Sequence, residues 1–217
     1  MAISFISSAS NLGNSITSFP THQKNDLLLI FAYNDGATTA VTKPTEWVAR
    51  TGLAVSSVGY LLVAYQVAQN SSTTSGTWTN ADAVMAMVFR PGSDETISVN
   101  YLSTQQGSQA TMIYTAQTAG TFETGADQAL VGLISNRNTF AFSNTLLPPS
   151  GMTNAQYLTS TLFGIAGHYQ LSRTTIWPTT NVVEANSAFY RTIVLSLTAV
   201  PYSMNKVSLT GTSNLIG

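Results

Sequence analysis

The residues able to do chemistry in this chain are few: two histidines, nine acids, eight bases and no cysteine in 217 residues. General acid–base work would fall to His22 or His168, each needing a carboxylate or hydroxyl within hydrogen-bond reach. His168 ends the apolar run Phe163-Gly-Ile-Ala-Gly-His168, a setting that predicts a hydrogen-bonded structural histidine near a strand's end. His22 lies in Phe19-Pro-Thr-His-Gln-Lys24, a polar approach read as surface loop. No Gly-x-Ser-x-Gly elbow, Gly-x-x-x-x-Gly-Lys cradle or His-Glu-x-x-His pair occurs. Glycoside hydrolysis would need two carboxylates flanking the scissile bond. Asp35, Asp82, Asp94 and Glu95 fall at turns, where acids cap backbone donors or favour tight-turn conformations. Glu46 and Glu184 lie beside apolar residues in candidate strands, where each also fits the outward member of an alternating pattern. No pair stands out, so no catalytic residue is assigned.

Metal binding has only loop oxygens to use, at Asn34-Asp35, Asn80-Ala-Asp82 or Asp94-Glu95. Calcium takes such ligands, but none of these approaches an EF-hand loop. The reading assigns no metal and no cofactor. Trp47, Trp78 and Trp177, with Tyr33, Tyr60 and Tyr157, offer flat faces to a sugar ring. The competing role for each Trp is a plug in the core. Asn70-Ser71-Ser72 is a glycosylation sequon that matters only in a eukaryotic secretory pathway.

The elements that must position these residues read as strands. Leu27–Tyr33, Gly59–Gln66, Val84–Arg90, Thr96–Leu102, Ala110–Thr115, Gln128–Ser135, Thr161–His168 and Ala188–Ala199 are rich in β-branched and aromatic residues. Turn clusters separate them at Asn34-Asp35-Gly36, Pro91–Asp94, Gln105-Gln106-Gly107, Leu147–Gly151 and Ser203–Asn205. No stretch keeps a helical period. The chain is read as all-β: one antiparallel β-sandwich, jelly-roll-like, of roughly ten to fourteen strands. Residues 1–20 form an amino-terminal arm or a first strand pair, and residues 21–217 the sandwich.

The apolar blocks also repeat weakly at a spacing near one hundred residues. Asp26–Ile30 answers to Asp127–Val131, Tyr60–Tyr65 to Leu162–Gly167, Trp78 to Trp177, and Val84–Phe89 to Thr192–Leu197. The halves so defined are about 26–118 and 127–217, each expected to supply strands to both sheets. A two-domain alternative would need a linker near Thr118–Gly125, which is short and not especially polar. The carboxyl-terminal stretch Val207–Gly217 alternates, and could close the last sheet or reach a neighbour.

Charge is the other strong signal. Charged residues make up 8% of the chain with a net charge of −1, where soluble domains run near 25%. Thr, Ser and Asn take the places usually held by Lys and Glu. This excludes the basic stripe that nucleic-acid binding requires. The longest apolar run, Leu27–Tyr33, is far too short for a membrane helix, and residues 1–10 lack a signal peptide's pattern. A neutral surface suits a subunit packed in an assembly, or a protein that meets neutral ligands.

Two stretches carry a resemblance. Asp26-Leu-Leu-Leu-Ile-Phe-Ala-Tyr-Asn-Asp-Gly36 followed by Lys43-Pro-Thr-Glu-Trp-Val48, then Tyr60–Tyr65 and Thr77-Trp-Thr79, resembles a recurrent bacteriophage structural-protein pattern. That pattern has a Gly-Asp-Leu-Leu strand, a Pro-x-Gly-Trp element and jelly-roll or lectin-like sandwiches. It covers roughly the first ninety residues, and departs from it at Asn25 and Glu46, where Gly is usual. The resemblance implies a virion protein: a capsid decoration (cement) protein bound to the major capsid protein, or a tail-tip or fibre receptor- or carbohydrate-binding module. A glycan hydrolase is the third option. A homo-oligomer, a trimer among the choices, is the expected state.

Overall fold

A computed structural model describes residues 3–36, 39–55, 59–108, 111–115, 128–137, 146–171, 180–183 and 189–201. Twelve strands run through these residues, with no helix. β1 (Ser4–Leu12), β2 (Leu27–Asp35), β3 (Val48–Val55), β4 (Gly59–Val67) and β5 (Ala83–Arg90) make one sheet in the order β1-β5-β2-β4-β3. β6 (Glu95–Ser108), β8 (Gln128–Arg137), β9 (Thr153–Thr159), β10 (Phe163–Gln170) and β12 (Phe189–Pro201) make a second, β6-β12-β8-β10-β9. β7 (Thr111–Tyr114) and β11 (Thr180–Val183) pair in a small ribbon. Every pairing is antiparallel. The expected antiparallel β-sandwich is present.

The two sheets have one topology. In each, the chain lays down an edge strand, the central strand and the opposite edge, then fills the two gaps. The internal repeat is therefore visible as whole sheets: each half builds one sheet, rather than feeding both as the block spacing predicts. The chain changes sheets between Arg90 and Glu95, earlier than the expected division at 118–127. The sheets stack with opposite lateral order, β1 against β9, β5 against β10, β2 against β8 and β3 against β6. That stacking creates a pseudo-two-fold axis running along the strands between β2 and β8.

Period-two alternation decides what each strand buries. Leu27, Leu29, Phe31 and Tyr33 of β2 face Ala129, Val131 and Leu133 of β8 in a core shared by both sheets. Each such Leu or Phe contributes about 2 kcal/mol of hydrophobic stabilisation. The other face of β2, with Leu28, Ile30 and Ala32, packs under loops carrying Ile16, Val41, Trp47 and Trp78. On the second sheet, Met112 and Tyr114 of β7 and the segment holding Leu146 and Met152 cover Leu130, Ile134, Ala166 and Val194. The central strands of both sheets are thus buried on both faces, which explains continuous apolar runs where a half-exposed strand would alternate.

Within residues 1–20, expected as an arm or a first strand pair, Ser4–Leu12 forms one strand. It is an edge strand along β5, tied to the second sheet by Ser8 Oγ donating to the Ala155 carbonyl at 2.5 Å and Gln156 Nε2 donating to Ser10 Oγ at 2.9 Å. Gln105-Gln106-Gly107, expected as a turn, lies inside β6. Thr118–Gly125, Ser203–Asn205 and Val207–Gly217 lie outside the described residues.

Candidate functional site

β2 and β8 end side by side, and their alternation sends Tyr33 and Asp35, and Ser135 and Arg137, inward. Register makes Asp35 and Arg137 equivalent across the pseudo-two-fold axis, since each lies two residues beyond the inward residue, Tyr33 or Ser135, that pairs with Ala83 of β5 or Arg191 of β12. They meet there: Arg137 Nε is 3.2 Å from Asp35 Oδ1. Tyr33 Oη donates to the same oxygen at 3.1 Å. Asp82, just ahead of β5, accepts the Asp35 amide at 2.8 Å. Two acids that lie in separate turns along the sequence thus share one corner. Gly36 (φ +62) lies against the Arg137 guanidinium, where a Cβ would sit 2.6 Å from it.

Burial raises the Asp35 carboxyl above the usual carboxylate range, opposed by the Arg137 charge and the Tyr33 bond. Burial, reinforced by Asp35, also raises Tyr33 and keeps it a phenol. The acid is therefore held by a guanidinium and a phenol, and Asp82 is engaged by a backbone amide. This is the chemistry of a clamp between sheets. A cleft of about 360 Å³ opens beside it, lined by Leu12, Asp35, Asp82 and Ser160–Phe163.

His168 is buried on the outer face of β10. Its Nε2 is 3.2 Å from the Leu146 carbonyl, which can only accept, so Nε2 carries the proton. Nδ1 then accepts from Tyr114 Oη at 2.9 Å. Burial pushes the His168 pKa down to about 4. The neutral ring joins ribbon, sheet and covering segment, the hydrogen-bonded structural role its sequence setting predicts. His22 corrects its surface-loop reading: it is on a loop but buried, with Nδ1 donating to the Pro20 carbonyl at 2.7 Å and Phe19 edge-on at 5.5 Å.

Trp47 and Trp78 are both buried and meet edge to face at 5.6 Å. Trp78 Nε1 donates to the Ser75 carbonyl at 2.9 Å. Neither indole presents a face to a sugar, and Tyr33 is buried too, while Tyr60 and Tyr157 are half-buried. Trp177 and Glu184 lie outside the described residues.

An open cavity of about 590 Å³ lies where the chain crosses between sheets, lined by residues 23–26 and 90–95. Asp26, buried, takes two hydrogen bonds from Arg90, Nε to Oδ1 and Nη2 to Oδ2, both 2.8 Å, and a third from the Gln23 amide. Glu95 accepts the Gly92 amide at 3.1 Å, the turn-capping role expected of it. Glu46 sits exposed in the turn before β3 rather than in a strand. Among the described residues no three His, Asp or Glu side chains group to hold a metal ion.

Sequence reasoning missed Asp26–Arg90, Asp35–Arg137 and the buried Arg191. The available signal was a lone charged residue at the end of, or inside, an otherwise apolar strand. The chain matches no protein-family model, no curated protein and no solved structure.

Proposed function

We propose that this chain is a virion structural protein that decorates a capsid lattice, binding through neutral polar and apolar contacts. The observation that carries the reading is where its few charges go. Asp26 with Arg90, and Asp35 with Arg137, pair with each other, and Arg191 is buried, so five of the seventeen charged residues are neutralised or withdrawn from a docking surface. What remains exposed is mostly Ser, Thr, Asn and Gln on loops and edge strands. Such a face meets a partner with little desolvation cost from charge.

All four sheet edges, β1, β3, β6 and β9, carry a one-residue register shift. Bulged edges resist strand addition, which leaves faces and loops as the surfaces for adhesion. The phage assignment itself rests on the Asp26–Val48 and Tyr60–Thr79 resemblance.

Immunogold labelling of particles from the phage carrying the gene tests this directly. Gold over the head is the expected result, and gold only at the tail tip transfers the protein to receptor binding. No gold on intact or opened particles overturns a virion role. Head binding should also change little between about 0.05 and 0.5 M salt, as contacts without charge are insensitive to screening.

A further inference from the structure

We propose that a small monovalent anion, a halide or a simple carboxylate, binds between the two sheets on Arg191 and Ser135. Arg191 lies on β12, one strand in from the β6 edge, directly opposite Ser135 of β8 and Gln106 of β6. It shares its face with Ile193, Leu195 and Leu197, so its side chain enters the inter-sheet core. The residue is 5% exposed and Ser135 is fully buried.

Arg191 Nη2 donates to Gln106 Oε1 at 2.6 Å. Its Nε and Nη1, and the Ser135 hydroxyl, have no partner among the described residues. The phenols of Tyr33 and Tyr101 are within electrostatic reach, and burial disfavours the charge, but a guanidinium does not give up its proton in a protein. A buried cation without a counter-ion costs several kcal/mol.

The neighbouring charges do not supply that counter-ion. Asp35 is already paired with Arg137 and Tyr33, and Asp82 is exposed to solvent at that corner. Among the described residues no carboxylate faces the Arg191 guanidinium, whose electrostatic neighbours are the phenols of Tyr101 and Tyr33, so an anion beside it would supply the missing counter-charge. Water could satisfy the donors but would leave the charge, and the register places the serine hydroxyl across from the guanidinium, where it can donate to the same ion. Gln106 and Thr104, exposed on the β6 edge, are what separates the site from solvent.

Thermal unfolding at constant ionic strength, exchanging a bulky sulfonate for chloride or acetate, reads the site. The midpoint should rise saturably, by about 5–10 °C at a hundred-fold excess over Kd. Arg191→Met should abolish the anion-dependent rise. Ser135→Ala, which keeps the charge and removes only a hydroxyl, should weaken the anion about ten-fold, and keeps the test open if Arg191→Met does not fold. A midpoint indifferent to the anion overturns the proposal, as does a rise that both variants retain in full. A bromide-soaked crystal gives the direct answer: an anomalous peak beside Arg191 Nε supports the site, and an ordered water or protein acceptor there overturns it.

Discussion

At the residue scale, the polar groups inside this sandwich act mainly as fasteners, and His168 is one whose role can be titrated. Its pKa of about 4 in the folded protein lies below the ordinary value near 6.5. As acid is added, the unfolded chain takes up this proton first. The stability His168 provides is therefore complete above about pH 6.5 and falls as pH drops through 4. The shift amounts to about 3 kcal/mol over that window. Denaturant midpoints measured down this pH range should show the loss. His168→Gln, still able to donate to Leu146 and accept from Tyr114, should flatten most of the slope; an unchanged slope would assign the titration to another group. The histidine's character was legible from its apolar neighbours. Its partners were not, because Tyr114 and Leu146 reach it only through the ribbon and covering segment, which leave no local signature.

At the element scale, all eight strands expected from sequence are present; β1, read as an arm or a first strand pair, and β3, β9 and β11, not read as strands, complete the set. Three of these are sheet edges, half-exposed or Ser/Thr/Asn-rich and interrupted by a bulge, so their alternation is diluted. The repeat was legible in the same uneven way. Val84–Phe89 and Thr192–Leu197 match in register and face. The block pairing of Tyr60–Tyr65 keeps the face but slips two places. The pairing of Asp26–Ile30 sets Leu28 against Ala129, yet Leu28 faces outward and Ala129 inward. A single-residue slip inverts a strand, and apolar runs buried on both faces give no clue to which way they point. Turn glycines separate two costs that sequence does not distinguish. Gly13 (φ +106) has open space where a Cβ would go, whereas at Gly59 (φ +109) a Cβ would overlap the Asn34 carbonyl. Gly13→Ala should cost about 1–2 kcal/mol through backbone strain alone, and Gly59→Ala distinctly more, read as the difference in unfolding midpoints. Equal losses would mean the β2–β4 contact relaxes freely.

At the scale of the whole molecule, the sandwich resembles a homodimer written into one chain. Each sheet buries its inner face only against the other, so neither half should stand alone. A true two-fold dimer of the first sheet would set Asp35 against its own copy on the axis, and one of the second would set Arg137 against itself. Like charges so placed oppose both self-associations, while the pair at 3.2 Å favours the mixed one. The sheets have also diverged in volume. Gly167, in register with Val63, leaves room for Met87, whose sulfur would lie 2.7 Å from a Cβ there. Segments 1–93 and 94–217, produced separately, should be unfolded or aggregated, and together should form a one-to-one complex with the circular dichroism of the intact chain. Asp35→Arg should abolish this complementation by placing two guanidinium groups together. Adding Arg137→Asp should restore part of it, with a coupling of about 1–3 kcal/mol. Stable homodimers of either segment would show that the axis carries no such discrimination. A double swap no better than the single one would show that Tyr33, Asp82 and Gly36 accept the ion pair in one orientation only.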